Sequence, residues 1–350
     1  MLKIKTISIA ILTSWISISS QTKLESDFKS YSLEVFPLHD IKKLDVRAKH
    51  AQVNLLNWDK DSISVETSIE ILSNKPNISK EMLEEIKIET VEYSNVLLIK
   101  TSLVDDFNRT IPYQIEYTIF YPKKLELRIE NNHGRVDIDH VEGGVLADIS
   151  YCDINFKNFS QDTGAIINHI NLLHCKGKMN HLGSANIEFK NSTVNIQDAT
   201  EIHASTSYCL LNIDHVKNYQ ANSTVDNIKI GACDNVSMFS ENSVIQINKF
   251  KHKALFECSK GILNISNPEL NFRELTINND GTPTTVVLNS DANYIINGDV
   301  SNGKFIHKHR DQLKIIKDQD KISFNGVVGN NPNPNTKIII FNKNQKVKFN

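Results

Sequence analysis

Three carboxylates, Glu130, Asp148 and Glu188, have the types and spacing that come nearest to chemistry in this chain. On adjacent strands of a stacked sheet, Glu130 and Asp148 would stand about 5 Å apart. That separation suits a shared Ca²⁺ ion or the two carboxylates of a retaining glycosidase. Either use needs company: more oxygen ligands for the ion, or a basic group and an aromatic platform for a sugar. The sequence places neither beside these acids, so a solvated outer face is the expectation.

The 12 histidines give a second candidate set. His307 and His309, spaced i, i+2, would point the same way from a strand and could share a metal. A ligand set usually needs three or four groups, so an exposed strand face is again expected. His133, His140, His169, His174, His181 and His215 also lie on or near repeats. No GxSxG, HExxH, Walker, GxGxxG or CxxC pattern occurs. The sequence predicts no catalytic, cofactor-binding or metal-binding residue and no cofactor.

These residues are held by a repeat. From Val194 to Ile265 the phrases STVNI, CLLNI, DNIKI, SVIQI and GILNI close on Ile196, Ile213, Ile230, Ile247 and Ile265. A period of about 17–18 residues is too short for a helical hairpin and suits one coil of a β-solenoid. With the closing residue as position zero, positions −2 and 0 hold Val136/Ile138, Ile154/Phe156, Leu173/Cys175, Val194/Ile196, Leu211/Ile213, Ile228/Ile230, Ile245/Ile247 and Leu263/Ile265. Positions −11 and −9 hold Leu127/Ile129, Val145/Ala147, Gly164/Ile166, Ala185/Ile187, Ile202/Ala204, Tyr219/Ala221, Val236/Met238 and Ala254/Phe256. Only Gly164 among them is not apolar.

Both pairs alternate with polar residues, as strands with one buried face require. Between them lie corner triplets such as Asn132-His133-Gly134 and Ser207-Tyr208-Cys209, rich in small and turn-forming residues. Each coil therefore reads as strand, corner, strand, return loop. Burying some four side chains at roughly 1.5–3 kcal/mol each cannot offset ordering a whole coil at roughly 1–2 kcal/mol per residue. A lone coil should not fold. The outward column at −1 reads Asp137, Asn155, His174, Asn195, Asn212, Lys229, Gln246 and Asn264, a polar ladder expected to stabilise the stack through side-chain hydrogen bonds. The same ladder could instead face a glycan or protein partner.

The template recurs at Leu44, Val46, Ala48, Val53 and Leu55, and at Ile338, Ile340, Asn342, Val347 and Phe349. The fold class predicted is all-β: a single-stranded parallel β-helix with a small α+β insertion near the N-terminus. The expected layout is a signal peptide over 1–20 and a solenoid over 21–350. The solenoid divides into first strands and coil (21–57), a strand/helix insertion (58–122), regular coils (123–279), and irregular loops with a terminal coil (280–350). The insertion should hold a strand over 62–72, a short helix opened by Ser79 with Glu81, Leu83, Glu84 and Ile86, and strands near 96–102 and 113–121. A separate N-terminal β domain is the alternative.

Composition bounds the setting. The chain has 350 residues, 40% hydrophobic and 23% charged, with net charge −2, which gives no argument for nucleic acid or an anionic membrane surface. Lys3 and Lys5 before the apolar stretch 7–18 and the small residues Ser17, Ser19 and Ser20 read as a cleaved export signal. No other segment approaches membrane-spanning length. The five cysteines, Cys152, Cys175, Cys209, Cys233 and Cys258, are odd in number and too widely spaced to look like a disulfide framework. Cys152 and Cys209 share a column three coils apart, about 14 Å and beyond disulfide reach. Cys175 and Cys258 fall at inward positions as small hydrophobes.

The stretches KLDVRAKHAQVNLLNWDKDSISVE and PYQIEYTIFYPKKLELRIENNHGRVDIDHVEGGV, with the coils SYCDINF and FKNSTVNI, resemble the exported β-strand-repeat proteins called auto-transporter adhesins with a head GIN domain. The resemblance covers nearly the whole chain after the signal. It implies parallel coils, right-handed, and an adhesive role, and it assigns no binding residue. Cysteine at the corner positions 152 and 209 departs from the glycine common in the family. The function expected is a non-catalytic, exported, adhesin-like protein with an unidentified protein or glycan partner, located in the periplasm, on the outer-membrane surface or outside the cell. A carbohydrate-active or metal-dependent enzyme on the same scaffold, and a periplasmic structural scaffold, are the alternatives.

Overall fold

Strand Thr193–Ser207 shows how the sequence shapes each repeat. Val194 and Ile196, then Ala199, then Ile202, Ala204 and Thr206 are buried, with exposed residues between them. The alternation breaks at Gln197-Asp198 and at Thr200-Glu201, so the strand bends twice and presents three inward edges. A third bend falls at Tyr208, where φ is +57°. Strand Leu210–Thr224 repeats the pattern and pairs in parallel with its predecessor, Ile196 opposite Ile213 and Ile202 opposite Tyr219. The same offset carries Ile213 to Ile230 and Ile230 to Ile247. One extra residue enters between the pairs Cys233–Phe250 and Asn235–Lys253, which accounts for the longer step from Ile247 to Ile265.

The structure, a computed structural model, describes residues 21–25, 28–73, 75–104, 107, 110–159 and 166–350, and of 21–25 only the backbone. The expected signal peptide over 1–20 lies outside the described residues. The described residues are nearly all β-strand, with one helix of three turns, Pro76–Glu85, and a short 3₁₀ turn at Arg310–Gln312. No helix among them is long and apolar enough to cross a membrane.

One predicted register is wrong. Ala147 lies opposite Ile170, and Phe156 opposite Met179, each 23 residues on rather than 17 or 18. The inward pairs of this rung are therefore Asn168/Ile170 and Gly177/Met179, not Gly164/Ile166 and Leu173/Cys175. The surplus residues fall in the return segment after Asn158, where no ladder constrains length. Ile166 is exposed accordingly, and Gly164 lies outside the described residues. Lys178 takes the outward place assigned to His174. Cys175 is still buried, but at the corner, where it is the direct neighbour of Cys152.

The sequence template also missed a third inward column. Ala199, Val216, Cys233 and Phe250 pair across successive rungs on the return side and are all buried. The region expected to be an insertion adds rungs and edge covers. Strands Val96–Leu103 and Tyr113–Tyr121 both run parallel to Lys43–Asn57 and form a rung outside it. Strand Ser62–Ile71 then covers Tyr113–Tyr121 in antiparallel fashion, and Ile86–Tyr93, which the sequence reading lacked, covers Val96–Leu103. The helix begins at Pro76, earlier than expected; Ser79 is buried in its first turn, its Oγ donating to the Lys75 carbonyl at 3.1 Å.

At the other end, Lys337–Lys343 and Lys346–Phe349 are not the outermost rung. They sit between strands Glu274–Asp280 and Thr284–Val287 on one side and Tyr294–Ser301 and Lys304–His307 on the other. The template positions Ile338, Ile340, Asn342, Val347 and Phe349 face inward there. Lys321–Val328 pairs antiparallel with Tyr294–Ser301, and Leu313–Asp318 pairs with it in turn.

The corner imposes one conformation throughout. His50, His133, Tyr151, His174, Asn191, Tyr208, Val225, Asn242, Lys260, Asn344 and Asn302 all adopt φ between +49° and +67°. The residue that follows is buried at most of these corners, as at Ala51, Cys152, Cys175, Ser192, Cys209, Asp226 and Ser243. A Cβ at Gly134 would meet the Ala51 carbonyl oxygen at 2.1 Å, so that corner tolerates no side chain. Asp226, at the same corner position, is a buried carboxylate. It accepts bonds from Thr206 Oγ1 at 2.6 Å, Ser223 Oγ at 2.7 Å and the Cys209 amide at 2.7 Å.

Two outcomes follow from this geometry. Ile230→Asp, which puts a carboxylate on the central inward edge, should cost about 4 kcal/mol or more in urea denaturation, whereas Lys229→Ala on the outward edge should stay within about 0.5 kcal/mol. Equal losses would overturn the inward/outward assignment. Val225 is a β-branched residue held left-handed on the surface, and Val225→Asn should raise stability by about 1 kcal/mol by relieving that strain.

Candidate binding face

The strand edge that precedes the corner presents three outward columns to solvent. The central one runs Glu130, Asp148, Asn171, Glu188, Ser205 and Asn222, then Phe239, Glu257, Asn278 and Phe341. Its first flank carries His169, Asn186, His203, Gln220 and Ser237, and its second carries Lys190, Ser207, Thr224, Glu241 and Ser259. Every side chain on this face is there because strand geometry sends alternate residues outward.

Three open depressions lie along it. One of about 400 Å³ is floored by residues including Asn171, Asn186, Glu188, His203 and Gln220. A second, of about 340 Å³, adjoins it at His203 and Gln220, continues to Ser237 and Leu255, and opens over the edge of the face to Asn218 and Asn235 on the return side. The third, of about 470 Å³, shares Asn222 with the first and runs past Phe239, Glu257 and Asn278 to Lys343. Their linings carry amides, hydroxyls and carboxylates, groups that donate and accept hydrogen bonds, beside apolar side chains such as Leu255 and Phe239. Two bare apolar rings stand on the same column, Phe239 at 43% and Phe341 at 49% exposure.

The acids singled out in the sequence do share this face. Glu130 and Asp148 are direct neighbours, and Glu188 follows one rung beyond Asn171. They do not act on one another. Glu130 is held by the Arg128 guanidinium, Asp148 accepts from Asn171 Nδ2 at 2.7 Å, and Glu188 pairs with Lys190 at 3.0 Å. Beside them the buried Asp45 accepts a bidentate contact from Arg47 at 2.8 and 3.1 Å, which holds the Arg47 guanidinium above its ordinary value.

The −1 column on the next edge is a hydrogen-bonded ladder where amides meet. Asn155 donates to Asp137 at 2.8 Å and Asn212 to Asn195 at 2.9 Å. Burial pushes the Asp137 carboxyl up, but its bonds from Arg135 and Asn155 outweigh that and leave it below the usual range. Asn235 donates to Asn218 at 2.9 Å on the return side in the same manner.

Two placements among the histidines depart from an ordinary exposed strand face. His133 and His174 occupy left-handed corners and, with His50 and Tyr151, form a continuous ring stack whose centroids are 4.8 Å apart at each step. The 4.8 Å step is the strand spacing itself, so the corner conformation aligns the rings. His307 is the second exception: it is buried, not on an exposed face, and its ring meets that of His309 edge-on with centroids 6.2 Å apart. Strand Lys304–His307 ends at His307, and the next residues turn. His307 Nδ1 accepts from the His309 amide at 3.0 Å, so Nε2 carries the proton toward Tyr294 Oη at 2.9 Å. Among the described residues no group of three His, Cys, Asp or Glu side chains is arranged to hold a metal ion.

All five cysteines are buried free thiols. Burial pushes Cys152 and Cys233 up to about 12 and Cys258 to about 11, which keeps them protonated and weakly nucleophilic near neutral pH. The features that sequence reasoning missed on this face are Phe239 and Phe341. Their signal was present, because both are large apolar residues at positions where the alternation demands a polar one.

No family model matches this chain, and no curated protein matches it. Weak likenesses exist among solved structures. A candidate adhesin from Bacteroides fragilis shares 16% identity at a TM-score of 0.30, covering 66% of this chain and 94% of its own. A candidate lipid binding protein from Parabacteroides distasonis shares 13% at 0.30, over 91% and 96%. A candidate cell adhesion protein from Clostridium sporogenes shares 9% at 0.19, over 92% and 98%. Likeness at this level leaves the role of the chain to its own geometry.

Burial, aided by nearby His309, lowers His307 to about 4 from its ordinary value near 6.5. The unfolded chain therefore binds the extra proton first, and stability is lost as pH falls from about 6.5 toward 4. His307→Phe should flatten that part of the melting-temperature profile relative to the parent protein. An unchanged slope would mean that His307 is not neutral in the folded state.

Proposed function

We propose that the chain is an exported, non-catalytic, adhesin-like parallel β-solenoid that binds an extended glycan along the face bearing Asn222 and Phe239. One observation carries this reading: three adjoining depressions open on this face and over its edge, carrying side chains that bond hydroxyl groups, with exposed Phe239 in one of them and exposed Phe341 on the same column. Amide and carboxylate groups satisfy sugar hydroxyls, and a bare ring offers an apolar surface to the C–H face of a pyranose. Successive rungs repeat these groups at the strand spacing, which favours a long ligand lying across several rungs over a compact one. The acids are engaged by Arg128, Asn171 and Lys190, an arrangement that favours binding over acid–base work. The export signal read at 1–20 agrees with a role outside the cytoplasm.

A glycan array probed with the purified protein tests the reading, followed by calorimetry on the best-bound oligosaccharide. Phe239→Ala and Asn222→Ala should each weaken binding about tenfold, equivalent to ~1.4 kcal/mol, with melting temperatures unchanged. Absence of glycan binding, or binding by both variants as tight as the parent protein's, would remove the ligand assignment. Full protection from protease added to intact cells would remove the adhesive one.

A further inference from the structure

The rung formed by 337–349 is bonded on both sides by segments that precede it in sequence. Leu275 lies opposite Ile338 and Ile277 opposite Ile340 on one side; Ile296 and Gly298 take the same two partners on the other. Thr284 and Phe305 likewise flank Val347. The chain thus lays down rung 274–287, passes over one vacant level to rung 294–307, makes the hairpin 313–328, and only then returns to fill the gap. Until 337–349 arrives, rung 294–307 has no ladder to the rest of the stack. The gap is a two-sided strand acceptor shaped for Ile338, Ile340, Val347 and Phe349, all of which it buries.

The connection into the gap does not dictate whose segment fills it. Residues 329–336 join Val328, opposite Tyr294, to Lys337, opposite Ile295. The two attachment points lie on either side of one strand, about 10 Å apart, whereas eight residues reach about 27 Å. The link is folded here, bending at several residues with the Asn333 amide donating to Asn331 Oδ1 at 3.0 Å, so it holds slack that a longer crossing could use. An identical segment from a second copy meets the same ladders and the same core, so exchange conserves the contacts of the traded strands.

We propose that the level between rungs 274–287 and 294–307 is an interchain acceptor, and that two copies of this chain pair by trading segment 337–349. Exchange should occur whenever the chain folds at high concentration, because insertion is the closing step and an intermolecular donor then competes with the intramolecular one.

Asn278 and Phe341 are exposed Cα partners on adjacent strands, within the usual separation of disulfide-linked residues. Full-length chains carrying Asn278→Cys alone and Phe341→Cys alone are denatured together, refolded at high micromolar concentration and oxidised with glutathione disulfide, which accepts the two electrons. Exchange brings the two new thiols together only across chains. A covalent heterodimer is expected on a non-reducing gel, at up to roughly half of the exchanged pairs, since random pairing mixes the two chains that often. The parent protein should show a dimer mass by light scattering. The control mixture, Asn222→Cys with Phe341→Cys, places the thiols on the same column but several rungs apart and should give no heterodimer. A heterodimer no more abundant than in the control, with the parent monomeric after the same refolding, would overturn the proposal. A failure to bind glycan would not touch it.

Discussion

The parallel ladder between neighbouring rungs, one strand spacing of about 4.8 Å, is the interaction on which the rest of this structure depends. A single repeat buries too few side chains to offset the entropy of ordering its own length. Stacked on a neighbour, it gains backbone bonds along two edges and shares a core such as the Ile213–Ile230–Ile247 column, where each residue lies on its neighbour in register. Stability is therefore a property of adjacency, as in other arrays whose units contact only their neighbours.

The same constraint aligns everything along the stack. Because each rung repeats the one below, a single left-handed residue per corner becomes a column, and its side chain stands over the one on the next rung. Where histidine and tyrosine occupy it, the result is the ring series from His50 to His174. Where asparagines follow one another on an outward edge, amides bond along the axis, as Asn195 and Asn212 do. Where small polar residues share the edge before the corner, their faces merge into one long open surface. The core fixes the spacing of these groups and leaves their chemistry free.

Arrays of this kind have exposed ends. Here both ends are handled by leaving sequence order. Lys43–Asn57 is enclosed by a rung that comes later in the chain, and rung 337–349 is enclosed by one that comes earlier. The outer rungs are then covered by antiparallel strands, Ser62–Ile71 and Ile86–Tyr93 at one end and Lys321–Val328 at the other. An antiparallel cover reverses the chain direction and so interrupts the repeat that would otherwise accept another parallel strand.

The sequence by itself determined the strand edges, the corners and the inward identity of most positions, because alternation and a constant period are local properties that one strand reveals alone. It also placed the templates at Leu44–Leu55 and Ile338–Phe349 correctly as inward-facing strands. Only the tertiary structure decided which strand lies beside which. The six surplus residues in the step from Ala147 to Ile170 sit in a return segment with no periodic signature, so the pattern slipped there and misplaced Cys175 and His174. The neutral, buried state of His307 was equally illegible, since an HxH spacing is the same on a face open to water and on one closed by Tyr294 and Phe349. The order of rungs at the ends was hidden for the same reason: hydrogen bonds between strands are made to backbone that every residue carries, and side-chain pattern does not say which backbone will come alongside.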